Sequence, residues 1–449
     1  MRPLVLASAS FAAALSISTI TGLAGANGRF PFANQLVVDP SDPKHVVVRT
    51  TFGLVQTFDL DAAQGRATWS WICEQSVGYG GVFDPAIGVT ASGRILAGLF
   101  GGLTTSADRG CSFAVATLEK DYVIDLVVEP GDPRRAVAMT STGLGGEGFR
   151  VVLVETNDAG ATWTPLGTPL PTDFNSETLE VAPSRPSRIY LSGTTGTLGR
   201  TGVLQRSDDR GVTWERFTID LRGGRAPFLS AVDPKDPDLV WLRIDGTPND
   251  PAEPGDRLLR SRDGGATFEE VFTTAGDLFG FALSPDGRKV AIGGPRDGVL
   301  VADAADAKFE ARAEVGARCL AWTDAGLFAC ASEYPDGFTV GLSTDEGRSF
   351  RGIYQLAELS PLSCAPSTTT GAQCPRQWPA TQITIGQELD AGPRPSEAGV
   401  DSGPPPPPGE TPASRGCGCD VTGSSWSVAG TVAALAALLA LLGRRAFVR

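Results

Sequence analysis

Polar and charged residues recur at comparable places along this chain of 449 residues. Asn34, Asp84, Asp125, Glu177, Arg225, Asp277 and Arg318 each stand close to a short apolar run, such as Leu126-Val-Val or Phe281-Ala-Leu. If the fold gathers those runs around one axis, paired carboxylates such as Asp125, Glu177 and Asp277 become an acid and a base for cleaving a glycosidic bond. Separations of about 5 to 9.5 Å between the two carboxyl groups suit that reaction. The same residues also suit a wet polar channel with no catalytic duty.

Other chemistries have less to stand on. The single histidine, His45, follows Lys44 at the start of a strand-like run, where a structural surface role is expected. One histidine makes a His/Cys zinc site or a histidine-based triad hard to build. Gly143-Leu-Gly-Gly-Glu-Gly148 opens no helix and reads as a hairpin rather than a phosphate loop. The acidic stretch Asn249–Asp256 lacks EF-hand spacing and reads as an exposed loop. No metal and no cofactor is implied. A net charge of −13 argues against nucleic acid, which calls for a clustered basic face.

One phrase of eight residues positions everything else. It recurs as Ser106–Phe113, Thr156–Trp163, Ser207–Trp214, Ser261–Phe268 and Ser343–Phe350, with the pattern Ser/Thr-x-Asp-x-Gly-x-Ser/Thr-aromatic. Each copy makes sense as a turn between two strands. The aspartate accepts nearby backbone N–H groups, glycine supplies positive φ, and the aromatic residue starts the next strand by entering a hydrophobic layer. A worn copy, Ala302–Phe309, and a surviving tail, Arg66–Trp69, bring the aromatic anchors to seven: Trp69, Phe113, Trp163, Trp214, Phe268, Phe309 and Phe350. Seven apolar openings, from Leu36-Val-Val-Asp-Pro to Leu320-Ala-Trp-Thr-Asp, alternate with them. Repetition on this scale marks a closed or stacked array of identical units. The expectation is an all-β, seven-bladed β-propeller with four-stranded blades over residues 27–386, closed radially.

The phrase resembles the Asp-box, or BNR repeat, of sialidase-type and sortilin-type β-propellers. That resemblance implies structural corner residues in Asp108, Asp158, Asp209, Asp263 and Asp345, spaced around the rim where they cannot converge on one substrate. It also implies an active site, if there is one, at a mouth of the central channel. Sialidases use three arginines and a Tyr–Glu pair. Here Gly28-Arg29-Phe30-Pro31-Phe32 departs from their first arginine phrase, Arg225 and Arg318 are candidate further arginines, and the five tyrosines offer no clear nucleophile context. Sortilin-type relatives bind proteins.

The ends of the chain give its expected address. Residues 1–26 have the layout of a secretory signal with an Ala-x-Ala cut. Residues 387–415, with the run Pro404–Pro408, read as a stiff extended linker. Residues 416–449 hold Cys417 and Cys419, an uncharged apolar stretch from Trp426 to Leu442 that suits a transmembrane helix, and Arg444, Arg445 and Arg449. This tail resembles the MYXO-CTERM sorting signal of myxobacteria, which implies handling by a sortase-like processing protease and display at the cell surface. A plain membrane anchor is the alternative. In an oxidising compartment the six remaining cysteines suggest disulfides, with fifteen possible connectivities. The preferred set is Cys319 with Cys330 on consecutive strands, Cys364 with Cys374 in one loop, and Cys73 with Cys111.

These observations combine into an expected cell-surface propeller that binds extracellular protein, peptide or glycan through one face, without catalysis. The alternative is a surface glycoside hydrolase with paired carboxylates at the channel mouth.

Overall fold

The computed structural model describes residues 30–387 apart from residues 82, 117–120, 197–199 and 247–254. The expected signal segment, linker, cysteine pair Cys417 and Cys419, and apolar tail lie outside the described residues. Among the described residues, no helix is long and apolar enough to cross a membrane.

Seven antiparallel sheets follow one another in chain order, and this is the seven-bladed propeller. Their innermost strands are Ala33–Asp39, Ile87–Val89, Tyr122–Val128, Asn175–Val181, Pro227–Val232, Gly280–Leu283 and Cys319–Thr323. Six blades have four strands. The first has a fifth, because Ser360–Pro361 pairs in parallel with its outer strand Ser70–Ile72.

The hydrophobic core is divided among the blade junctions. Seven clusters of buried residues occur, one between each neighbouring pair of blades, including the first and the seventh. In that closing junction Val46, Trp69 and Trp71 of the first blade meet Phe328, Val340 and Tyr354 of the seventh. A ring is therefore demanded by the packing: an open stack would leave two of these faces in water. Each of the seven aromatic anchors belongs to a different cluster and packs against the preceding blade.

The repeated octapeptides are the turns between third and fourth strands. In the third blade, Asp158 Oδ1 accepts from Thr156 Oγ1 at 2.8 Å and from Thr162 N at 2.8 Å, while Thr156 Oγ1 accepts from Gly160 N at 2.9 Å. The residue before the glycine is left-handed too: φ is 59° at Ala159 and 84° at Gly160. The Thr162 hydroxyl and N–H hold Asp158 at about 2, and Asp209 and Asp345 are held equally low by Thr213 and Ser349. For Asp108 and Asp263 burial pushes upward, but hydrogen bonds from Ser112 and Thr267 outweigh it and lower both. The turns also clasp neighbouring blades. Gln56 of the first blade donates to Arg109 O of the second at 2.7 Å, and Thr90 of the second to Ala159 O of the third at 3.0 Å.

Several expectations need correction. The first blade keeps more of the turn than its tail. Asp59 Oδ1 accepts from Thr57 Oγ1 and from Thr68 N, each at 2.7 Å, so the phrase is intact but split by an insertion. His45 is buried, with Nδ1 2.9 Å from Asp39 Oδ2 and its ring stacked on Phe58. Past the seventh blade, Thr369–Thr384 is a helix capped at Thr368.

Cys319–Cys330 pairs as expected, directly across two adjacent strands. The other two pairings differ: Cys73 bonds Cys374 and Cys111 bonds Cys364. The segment after the seventh blade runs back across the first and second, where Thr370 Oγ1 donates to Gly110 O at 2.6 Å and Trp378 packs on Trp71. That return places Cys364 and Cys374 beside partners far away in sequence rather than beside each other. These two bridges, together with the Ser360–Pro361 strand added to the first blade, tie the end of the ring to its beginning. Cys374→Ser is expected to cost about 2–4 kcal/mol, read as a lowered denaturation midpoint under non-reducing conditions.

Candidate functional site

Innermost strands of a propeller surround the axis, so their side chains meet in the channel and at its mouths. The sequence-predicted residues stand on or just before the innermost strands, yet the structure gives them different duties.

Asp125 is a joint between blades. Its carboxylate accepts from Leu126 N and from Leu179 N of the fourth blade, both at 2.9 Å. Similar joints recur: Gln35 accepts from Ile87 N at 3.2 Å, Thr178 from Leu229 N at 2.7 Å, and Asp256 from Leu278 N at 2.9 Å. Innermost strands cannot pair with the next blade, and these side chains satisfy N–H groups that would otherwise be left open. Burial pushes Asp125 up to about 6, against its two N–H donors and the nearby Arg49. Glu180, which the sequence reading missed, is pushed up to about 8 by burial and then by Asp125.

A carboxyl whose folded value exceeds its ordinary value carries an extra proton in the native state. The stability owed to Glu180 is therefore present at low pH and is lost as pH rises toward about 8. Glu180→Gln is expected to raise the melting temperature more at pH 8 than at pH 5, and matched melting curves at the two pH values check it.

Glu177 behaves differently. It is half-buried on the fourth blade's innermost strand and makes no hydrogen bond or ion pair with another described residue. Burial raises its pKa, Arg200 and Arg225 lower it, and Asp245 raises it. Asp245, at the end of the fifth blade's second strand, is the sequence-missed partner. Arg225 forms an ion pair with it, and Arg243 Nη1 lies 4.0 Å away. Burial raises Asp245 as well, and Asp256 adds to that rise, against Arg243 and Arg225. Glu177, with no hydrogen-bond partner among the described residues, thus feels the Asp245 carboxylate, which is itself tied to arginine; carboxyls in such unlike environments are candidates for an acid and a base.

Aromatic rings extend this site. Tyr122 is close enough to Glu177 for that carboxylate to raise its pKa, after burial. Its ring stacks on Phe100 at 4.5 Å, and Phe83 packs on both. Phe100 is 62% exposed, an unusual cost for a phenyl ring unless something covers it. Thr178, the chain neighbour of Glu177, helps to line a cavity of about 530 Å³ together with Phe228, Phe281, Arg49, Arg243 and Arg318. Asp277 is exposed and near enough to Arg318 to favour its charge. Of the loop Asn249–Asp256, only the last two residues are described, and Asp256 is a buried anchor for Arg243 at 2.7 Å. Among the described residues no group of three His, Cys, Asp or Glu is placed to hold a metal ion.

No family model matches the chain. A xyloglucanase, Xgh74A of Acetivibrio thermocellus, is 32% identical over 123 residues, covering 24% of this chain and 14% of that protein. A Paenibacillus xyloglucanase is 32% identical over 133 residues, covering 26% and 12%. The chain thus spans a small part of the curated relatives it matches. Among solved structures, an ancestral GH74 enzyme aligns with a TM-score of 0.49 and 14% identity, over 73% of this chain and 46% of that one. The relatives' names overturn the expectation of a propeller that binds without catalysis, and they favour the glycoside hydrolase reading that stood beside it.

Proposed function

We propose that this protein is a glycoside hydrolase that cleaves a polysaccharide at the propeller's channel mouth. The observation that carries the reading is Glu177, a half-buried carboxyl that feels Asp245 and lies near the Tyr122–Phe100 rings, while its chain neighbour Thr178 lines the cavity. Glu177, half-buried and with no hydrogen-bond partner among the described residues, holds a proton and donates it to the leaving oxygen. Asp245, ion-paired to Arg225, serves as the ionised partner, either as nucleophile or as the base that activates water. Phe100 and Tyr122 offer flat apolar faces to sugar rings. Xyloglucan is the first substrate to test, because the partial relatives are named for it.

The turn phrase supports membership of the Asp-box propellers, with the five aspartates as corner residues. The two ends of the sequence support export followed by tethering at the cell envelope through a MYXO-CTERM-type signal, with a sortase-like protease as processing partner. The test is release of reducing ends from xyloglucan and other soluble β-glucans by the purified protein. Turnover that depends on Glu177 supports the reading, and no turnover on any glycan in a broad panel overturns it.

A further inference from the structure

The cavity that Thr178 and Arg243 help to line contains a charge that the cleavage chemistry does not use. Arg318 heads the seventh blade's innermost strand, and its guanidinium lies 3.5 Å from the centre of the Phe32 ring and 5.9 Å from that of Phe279. It forms no ion pair with a described carboxylate, although Asp277 and Asp336 are near enough to favour its charge. The other two arginines in the lining are already engaged. Arg49 donates to Asn34 Oδ1 and to Pro85 O, each at 2.8 Å, and Arg243 to Asp256 at 2.7 Å. Among the described residues no Asp or Glu lines the cavity.

A guanidinium held between phenyl rings has lost part of its hydration without gaining a carboxylate in exchange. Burial accordingly lowers its pKa, the direction expected for an undercompensated cation. Its fork of N–H donors matches a planar carboxylate in two hydrogen bonds. Phe228, Phe279 and Phe281 supply the apolar wall that a sugar ring needs beside such an anchor.

We propose that this cavity is a subsite for a carboxylate-bearing sugar, a hexuronate residue of the polysaccharide held at Glu177, with Arg318 reading the carboxylate. The inference rests on the glycan-cleaving reading for its polymer, but it makes a separate claim about charge. A neutral glucan leaves Arg318 without an anionic partner; a glucuronate- or galacturonate-bearing chain supplies one.

The test is calorimetric binding in a Glu177→Gln background, where turnover does not intervene. The probes are a glucuronate-bearing xylo-oligosaccharide, its neutral counterpart of equal length, and a sulfated oligosaccharide. The uronate probe is expected to bind about tenfold tighter than the neutral one, and Arg318→Gln to erase that preference while neutral binding stays within about twofold. Should Arg318→Gln fail to fold, the preference in the Glu177→Gln protein must shrink several-fold between low and high salt. Equal binding of charged and neutral probes, a preference that survives Arg318→Gln, or tighter binding of the sulfated probe overturns the proposal. Arg318-dependent uronate binding without any hydrolysis by the native protein overturns the hydrolase reading alone. Hydrolysis of neutral glycans with no uronate preference overturns this inference alone.

Discussion

Glu177→Gln lowers kcat/KM on a polysaccharide substrate by about 10³-fold, within the range expected for loss of a positioned general acid. The loss falls mainly on kcat, because the amide keeps the shape of the side chain and removes only the proton. Substrates with an activated aryl leaving group provide the sharper check. They need little protonation at the departing oxygen, so their cleavage should fall far less than that of the polysaccharide. Asp245→Asn is expected to damage both substrates alike, since the ionised partner acts whatever the leaving group. Glu177 must hold its proton to act, and burial together with Asp245 raises its pKa. Activity is therefore expected to decline as pH rises through that raised value, and Glu177→Gln should abolish this limb of the pH profile. Equal losses on both substrates for Glu177→Gln would remove the acid role and leave only a positioning one.

Asp256→Ala is the most destabilising substitution expected, at about 3–5 kcal/mol in chemical denaturation. Asp256 is 2% exposed and accepts from Arg243 Nη1 at 2.7 Å, Gly246 N at 2.8 Å and Leu278 N at 2.9 Å. Alanine leaves a half-buried guanidinium and two N–H groups without their acceptor at the junction of the fifth and sixth blades. Asp256→Asn keeps an acceptor and should cost much less. A loss below about 1 kcal/mol for the alanine variant would show that Asp245, whose carboxylate is 4.0 Å from Arg243, takes over the charge. Because Arg243 also lines the cavity, the asparagine variant is the one suited to binding experiments.

The propeller was legible in the chain because its turns are local. Within the octapeptide, Asp158 bonds residues two and four positions away, so Ser/Thr, Asp, Gly and an aromatic residue must keep fixed spacing wherever the turn recurs. The first blade shows the limit of that legibility. Thr57, Asp59 and Thr68 make the same bonds across an insertion, and spacing alone reveals only Arg66–Trp69. The candidate site was half visible. Glu177 and Arg225 could be placed near the mouth by counting from the apolar openings. Asp245 lies on a second strand and Glu180 deeper along an inner one, and neither follows from that count.

Taken alone, the sequence determined seven units, their four-strand hairpin order and the corner role of the aspartates, since each depends on contacts within a few residues. The tertiary structure decided how the ring closes, which cysteines meet and which carboxylates share a field. Cys73 and Cys374 are separated by 301 positions, and Arg225 reaches Asp245 only after the fifth blade has folded. Such meetings depend on where whole sheets come to rest around the axis. That is fixed by the packing of seven interblade cores, and no local pattern encodes it.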